Sequence, residues 1–325
     1  VPRLWQRLLA VTVLAIAVFA AFSIYADVSK LGDRFARFAP LAVAGALALA
    51  AGNYVIRFAR WQLYLRLVDT PTPAGLSLLV FVSGFAMSVT PGKLGELVKA
   101  VLLRDATGAD PKRVAPVVVA ERATDLLALV ILGLAGVAAY GVALPMVAAA
   151  GLVTTAGIIV LAWRRAAHAV IALMARLPGL RRLAPRLLDS YDHMERLVRP
   201  GPLAWATLLG ILAWLCECLG FALIVNGFPG AAVPIGLATL IYAATTVAGA
   251  LSFLPGGLLV TEASMTLLLV TAAQGLDRPA AVAATILTRL CTLWFAVVLG
   301  LVALVYLRRI RPAVRADTDG PPRYT

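Results

Sequence analysis

Residues 74–105 read AGLSLLVFVSGFAMSVTPGKLGELVKAVLLRD. The first half is apolar enough to enter a bilayer, and Pro91-Gly92 then interrupts it. Proline supplies no backbone N–H and clashes with the preceding turn, so a continuous helix ends there. Residues 234–275 follow the same plan around Pro255-Gly256-Gly257. Apolar segments broken midway by Pro-Gly are the pattern of discontinuous membrane helices. They place the chain in the all-α polytopic membrane class.

Composition agrees: 62% of the 325 residues are apolar and 14% charged, whereas a soluble domain carries roughly a quarter charged residues. Full spans of about 20 residues are expected near 8–26, 40–58, 114–140, 143–163, 202–226 and 279–307. That makes six full helices beside two broken re-entrant hairpins. Residues 1–163 form a first transmembrane repeat, and 164–200 a basic amphipathic stretch on the cytoplasmic face. Residues 201–311 form a second repeat that starts in effect with helix 143–163, and 312–325 a disordered tail.

The net charge of +13 clusters at the ends of apolar spans, which is the positive-inside pattern rather than a nucleic-acid footprint. It places both termini in the cytoplasm and the chain in the bacterial inner membrane. On this map Arg57, Arg60, Trp61 and Arg66 are a cytoplasmic interfacial anchor closing helix 40–58. Each half then reads helix, helix, broken hairpin, helix, with opposite orientations: an inverted-topology repeat.

Nine ionisable residues fall inside apolar segments: Lys93, Glu96, Lys99, Glu121, Arg122, Asp125, Glu217, Glu262 and Arg289. Each costs roughly 2.5–3.5 kcal/mol at mid-bilayer, while polar contacts between membrane helices return only about 0.6 kcal/mol on average. Such an investment points to a hydrated cavity for a polar group. Lys93, Arg122 and Arg289 suit a phosphate, the guanidinium by its fork and the ammonium as a point charge. Glycines at the breaks (Gly92, Gly256, Gly257) would aim backbone N–H groups and half-helix N-termini at the same anion. Glu96 would sit beside them, and Arg122 reaches Asp125 one turn on. Glu121, Asp125, Glu217, Glu262 and Lys99 would balance charge, bind an amine or sugar, or relay protons. Thr285, Thr288 and Thr292 share the helix face of Arg289.

Catalysis is less well supported. The chain has no Gly-x-Ser-x-Gly elbow and no His-Glu-x-x-His, and Pro91-Gly92-Lys93-Leu94 is not a phosphate loop. Three cysteines within apolar spans and two histidines suit packing rather than a metal site. No catalytic residue, cofactor or metal is expected.

Arg57-Phe58-Ala59-Arg60-Trp61, Pro91-Gly92-Lys93-Leu94-Gly95-Glu96, Glu121-Arg122-Ala123-Thr124-Asp125 and Pro255-Gly256-Gly257 resemble the lysylphosphatidylglycerol synthase transmembrane family. The resemblance covers nearly the whole chain, without the family's soluble synthase domain. It implies a flippase-like protein that moves an anionic or phosphate-bearing lipid, aminoacylated or glycosylated, between leaflets. The expected partner is thus a membrane phospholipid or lipid-linked sugar, with a homo-oligomer compatible and nucleic acid excluded. The alternatives are an intramembrane lipid-phosphate transferase or hydrolase, and a non-transporting partner of a glycosyltransferase.

Overall fold

The computed structural model describes residues 28–90, 95–140, 144–176 and 184–318. The span expected at 8–26, and Gly92 and Lys93, lie outside the described residues. Among the described residues there are helices and no strand. They are α1 (Val28–Ala36), α2 (Pro40–Leu67), α3 (Ala74–Gly84), α4 (Val98–Thr107), α5 (Pro111–Tyr140), α6 (Leu144–Ala162) and α7 (Arg164–Ala175). There follow α8 (Ala184–Leu197), α9 (Pro200–Asn226), α10 (Ile235–Leu251), α11 (Val260–Ala272), α12 (Arg278–Arg289) and α13 (Phe295–Thr318).

Local sequence explains the boundaries. Pro40 and Pro200 begin α2 and α9, where a missing N–H costs nothing. Asp277 caps α12 by accepting from the Ala280 N–H at 3.0 Å. Five described helical segments are long and apolar enough to cross a membrane: 40–67, 111–140, 200–226, 255–272 and 278–310. A sixth arises if α6 and α7, which meet at a 99° bend, count as one. Leu41, Leu152 and Val302 are exposed on this bundle, as lipid-facing residues are. The amphipathic stretch is divided into the separate helices α7 and α8. The final helix runs past Pro312 to Thr318, so the backbone of the expected tail continues the helix that far.

The second break falls where the sequence puts it, and the first lies between α3 and α4, with Pro91-Gly92 themselves outside the described residues. A 3-10 turn, Phe85–Met87, ends α3 before the first, and α4 packs back on α3 beyond it. A second 3-10 turn, Pro255–Gly257, separates α10 from α11, which pack on each other.

At the centre α2 lies along α9. Gly45 faces Leu223, Gly52 faces Cys216, and Asn53 Nδ2 donates to the Ala213 carbonyl at 2.8 Å. Partner numbers fall as α2 advances, so the two helices are antiparallel. The two main apolar cores divide along the length of this pair. Trp61, Tyr64, Phe81, Phe85 and Leu103 mark the first, and Phe221, Leu240, Ile241 and Met265 the second.

Candidate functional site

Asn53, Arg57, Arg60 and Tyr64 follow one another at steps of four, three and four along α2, and all are buried. That spacing keeps them on one helix face. Arg60 is completely enclosed. Its Nη2 donates to Asp125 Oδ1 at 2.6 Å and its Nη1 to Thr124 Oγ1 at 3.2 Å. Gly210 makes room for it, since a Cβ there would stand 3.0 Å from Arg60 Nη1. Arg57 lies over the Phe85 ring at 5.3 Å, with Nη2 3.7 Å from Asp125 Oδ2. Arg57, Arg60 and Trp61 are therefore not the interfacial anchor expected from sequence; of that group only Arg66 is exposed. The reason is length. At 28 residues α2 extends about 42 Å, beyond the hydrocarbon core, so its basic residues begin inside it.

A second buried network joins the start of α4 to α5. Lys99 is fully enclosed, with Nζ 2.5 Å from Glu121 Oε2 and 3.4 Å from Glu96 Oε2. The ammonium also lies over the rings of Trp61 and Phe81, at 4.8 and 5.3 Å. Glu96 Oε1 accepts from Ser88 Oγ at 3.2 Å. Arg122 bridges the two networks, its Nη2 standing 3.0 Å from Asp125 Oδ2 and 3.4 Å from Glu96 Oε2.

Between the helices lies a cavity of about 290 Å³. Arg57, Arg122 and Asp125 line it from one side, Glu217, Tyr242 and Arg289 from the other. Tyr54 and Thr292 close the gap, the Tyr54 hydroxyl donating to the Thr292 carbonyl at 3.2 Å. Tyr242 donates a short hydrogen bond to Glu217 Oε2. Among the described residues, Nε of both Arg57 and Arg122 has no hydrogen-bond acceptor, and their Nη2 atoms make only the ion-pair approaches to Asp125 and Glu96. Buried donors left so cost about 1–3 kcal/mol each. The mouth is apolar: Phe253 and Leu254 line it and are exposed. Phe253 and Leu259 flank the second break with φ of 53° and 75°, a left-handed backbone that side chains of this size rarely adopt.

At the second break Arg289 is clamped. Its Nε donates to Glu262 Oε1 and its Nη2 to the Gly256 carbonyl, both at 2.6 Å. The backbone donors aimed from sequence at an anion are occupied here. Gly257 N–H bonds the Leu254 carbonyl at 2.9 Å, and Leu258 N–H the Pro255 carbonyl at 3.1 Å. At the first break Gly95 N–H bonds Thr90 Oγ1 at 2.8 Å.

Eight of the nine intramembrane charges thus divide, Lys93 lying outside the described residues. Arg122, Asp125, Glu217 and Arg289 line the cavity, as do Gly256 and Gly257. Glu96 and Glu262 stand behind it, each holding a cavity arginine. Lys99 and Glu121 form an enclosed ion pair away from the lining. Thr285 bonds Thr266 at 3.1 Å rather than facing the cavity; Thr292 does face it. Arg57, Tyr54 and Tyr242 line the cavity, a place to which the sequence did not assign them. For Arg57 a usable signal existed, because the polar stripe Asn53, Arg57, Arg60, Tyr64 implies a buried face.

The family model described as the lysylphosphatidylglycerol synthase TM region matches residues 9–300, and the chain belongs to that family. A comparison with curated proteins finds no match.

Proposed function

We propose that this chain carries a phosphate-bearing lipid between leaflets of the cell membrane, head group in the cavity and tails in the bilayer, leaving the lipid chemically unchanged. One observation carries the reading: two buried arginines, Arg57 and Arg122, line one cavity, and beyond their ion pairs with Asp125 and Glu96 the Nε of each has no acceptor among the described residues. A phosphate offers oxygens in the geometry that such forks match. The apolar lip at Phe253 and Leu254 suits the acyl or isoprenoid tails.

Alternating access is supported by the arrangement around α2 and α9. The antiparallel helices each present a charge to the cavity, Arg57 and Glu217, near their crossing. Each is followed by a broken segment, a buried glutamate and a paired arginine. We take this as an inverted repeat whose halves rock about the central pair. Exposed Arg66, Arg104, Lys112, Arg113, Arg164, Arg165, Arg308 and Arg309 support a cytoplasmic side for both ends of the repeat pair.

The test is reconstitution in liposomes holding fluorescent phosphatidylglycerol, with outer-leaflet label quenched by a membrane-impermeant reductant. The wild type should expose inner-leaflet label, and Arg57→Gln with Arg122→Gln should stop it while the protein stays folded. Equal exposure with and without the two arginines would remove the proposed role.

A further inference from the structure

The arginines beside the two breaks are held differently. Glu262 gives Arg289 an undivided bond at 2.6 Å. Glu96 Oε2 instead stands 3.4 Å from both Arg122 and Lys99, longer than a charge-assisted hydrogen bond. Glu96 Oε2 is thus shared between the two cations. Arg122 has its Nη2 3.0 Å from Asp125 and keeps Nε without an acceptor among the described residues, whereas Arg289 spends both its Nε and its Nη2 on the protein.

Lys99 has a berth built for it. Its stem lies against Gly84, where a Cβ would come within 2.6 Å of Lys99 Cγ. Trp61 and Phe81 face its ammonium, and Glu121 neutralises it at 2.5 Å. Counting from the paired glutamates and arginines, the second half has Met265 and Thr288 where the first has Lys99 and Glu121. The lysine and its counter-charge are thus absent together where the arginine is clamped.

We propose that Lys99, by sharing Glu96, keeps Arg122 available to the substrate's phosphate, so that Lys99 and Glu121 are positioning residues for anion binding and the first half holds the head group. This rests on the lipid-phosphate reading of the cavity. Removing Lys99 together with Glu121 lets Glu96 close on Arg122 as Glu262 closes on Arg289.

The experiment titrates short-chain phosphatidylglycerol, with phosphatidylcholine as reference, into the purified full chain. Wild type should prefer phosphatidylglycerol, and Arg122→Gln should lose that preference. The charge-neutral double variant Lys99→Met/Glu121→Thr should bind about tenfold more weakly while remaining monodisperse with a cooperative melt. Adding Glu96→Gln to the double variant, which removes the closing charge, should restore affinity to within about twofold of wild type. Gly84→Ala, which displaces the Lys99 stem and alters no charge, should weaken binding by a smaller factor. The proposal is overturned if the double variant and Gly84→Ala bind like wild type, or if Glu96→Gln gives no rescue. A wild type indifferent to the two lipids would sink the cavity reading itself, an outcome distinct from those.

Discussion

The two helix breaks solve one problem with different amounts of charge. Around the first, Arg57, Arg60, Lys99 and Arg122 meet Glu96, Glu121 and Asp125 in linked networks. Around the second, one ion pair, Arg289 with Glu262, is supplemented by a backbone carbonyl and threonines. Asp125, which faces three arginines, corresponds by its spacing from Arg122 to Thr292, three residues after Arg289. A bilayer penalises every ion it buries, so the surplus in the first half needs a use that the second half lacks. Anion binding by loosely held arginines is such a use; a firmly clamped arginine serves better as a brace.

Substitutions that make one half resemble the other break this comparison or sharpen it. The largest effect is expected at Asp125. Asp125→Ala leaves Arg57, Arg60 and Arg122 without their shared counter-charge and should cost about 3–5 kcal/mol, seen as loss of the cooperative melt in detergent. Its counterpart Thr292→Ala should cost less than about 1 kcal/mol. Next is Lys99→Met, which strands Glu121 at zero exposure and should cost about 3 kcal/mol. Adding Glu121→Thr should recover most of that, and a double variant no more stable than the single would contradict the pairing. Glu262→Gln, which weakens the brace on Arg289, should cost about 1–2 kcal/mol. The smallest change is Phe253→Gly. It relieves a positive φ at an exposed residue and should leave stability unchanged or raised by up to about 1 kcal/mol, while slowing transport if Phe253 guides the tails.

Most of the fold was legible because a membrane leaves few choices. Runs of apolar residues located α2, α5, α6, α9 and α13, and the Pro-Gly pairs located both breaks. The site was legible as a set of residues but not as an arrangement. Lys99 and Glu121 look from sequence like cavity groups, yet each is the other's partner, and spacing along two helices cannot say which charges will meet. Arg57 and Arg60 were misplaced because a cation beside tryptophan at the end of an apolar run reads the same at a membrane surface and inside a long helix. The step of the polar stripe from Asn53 to Tyr64 separates the two cases, since a surface anchor needs no helical register. The occupied N–H groups of Gly95, Gly257 and Leu258 had no sequence signal, because turn hydrogen bonds depend on dihedral angles that Pro-Gly permits without specifying.

In the proposed function a lipid's phosphate rests on the first-half arginines, Arg57 and Arg122. The most direct measurement is a cryo-electron microscopy map of the wild-type chain in nanodiscs rich in phosphatidylglycerol, compared with Arg57→Gln/Arg122→Gln. A head-group phosphate within hydrogen-bonding distance of both guanidinium groups, absent from the double variant, is the predicted result. Head-group density seated on Arg289 instead, or a cavity filled by water alone while lipid orders only on the outer faces, would contradict it.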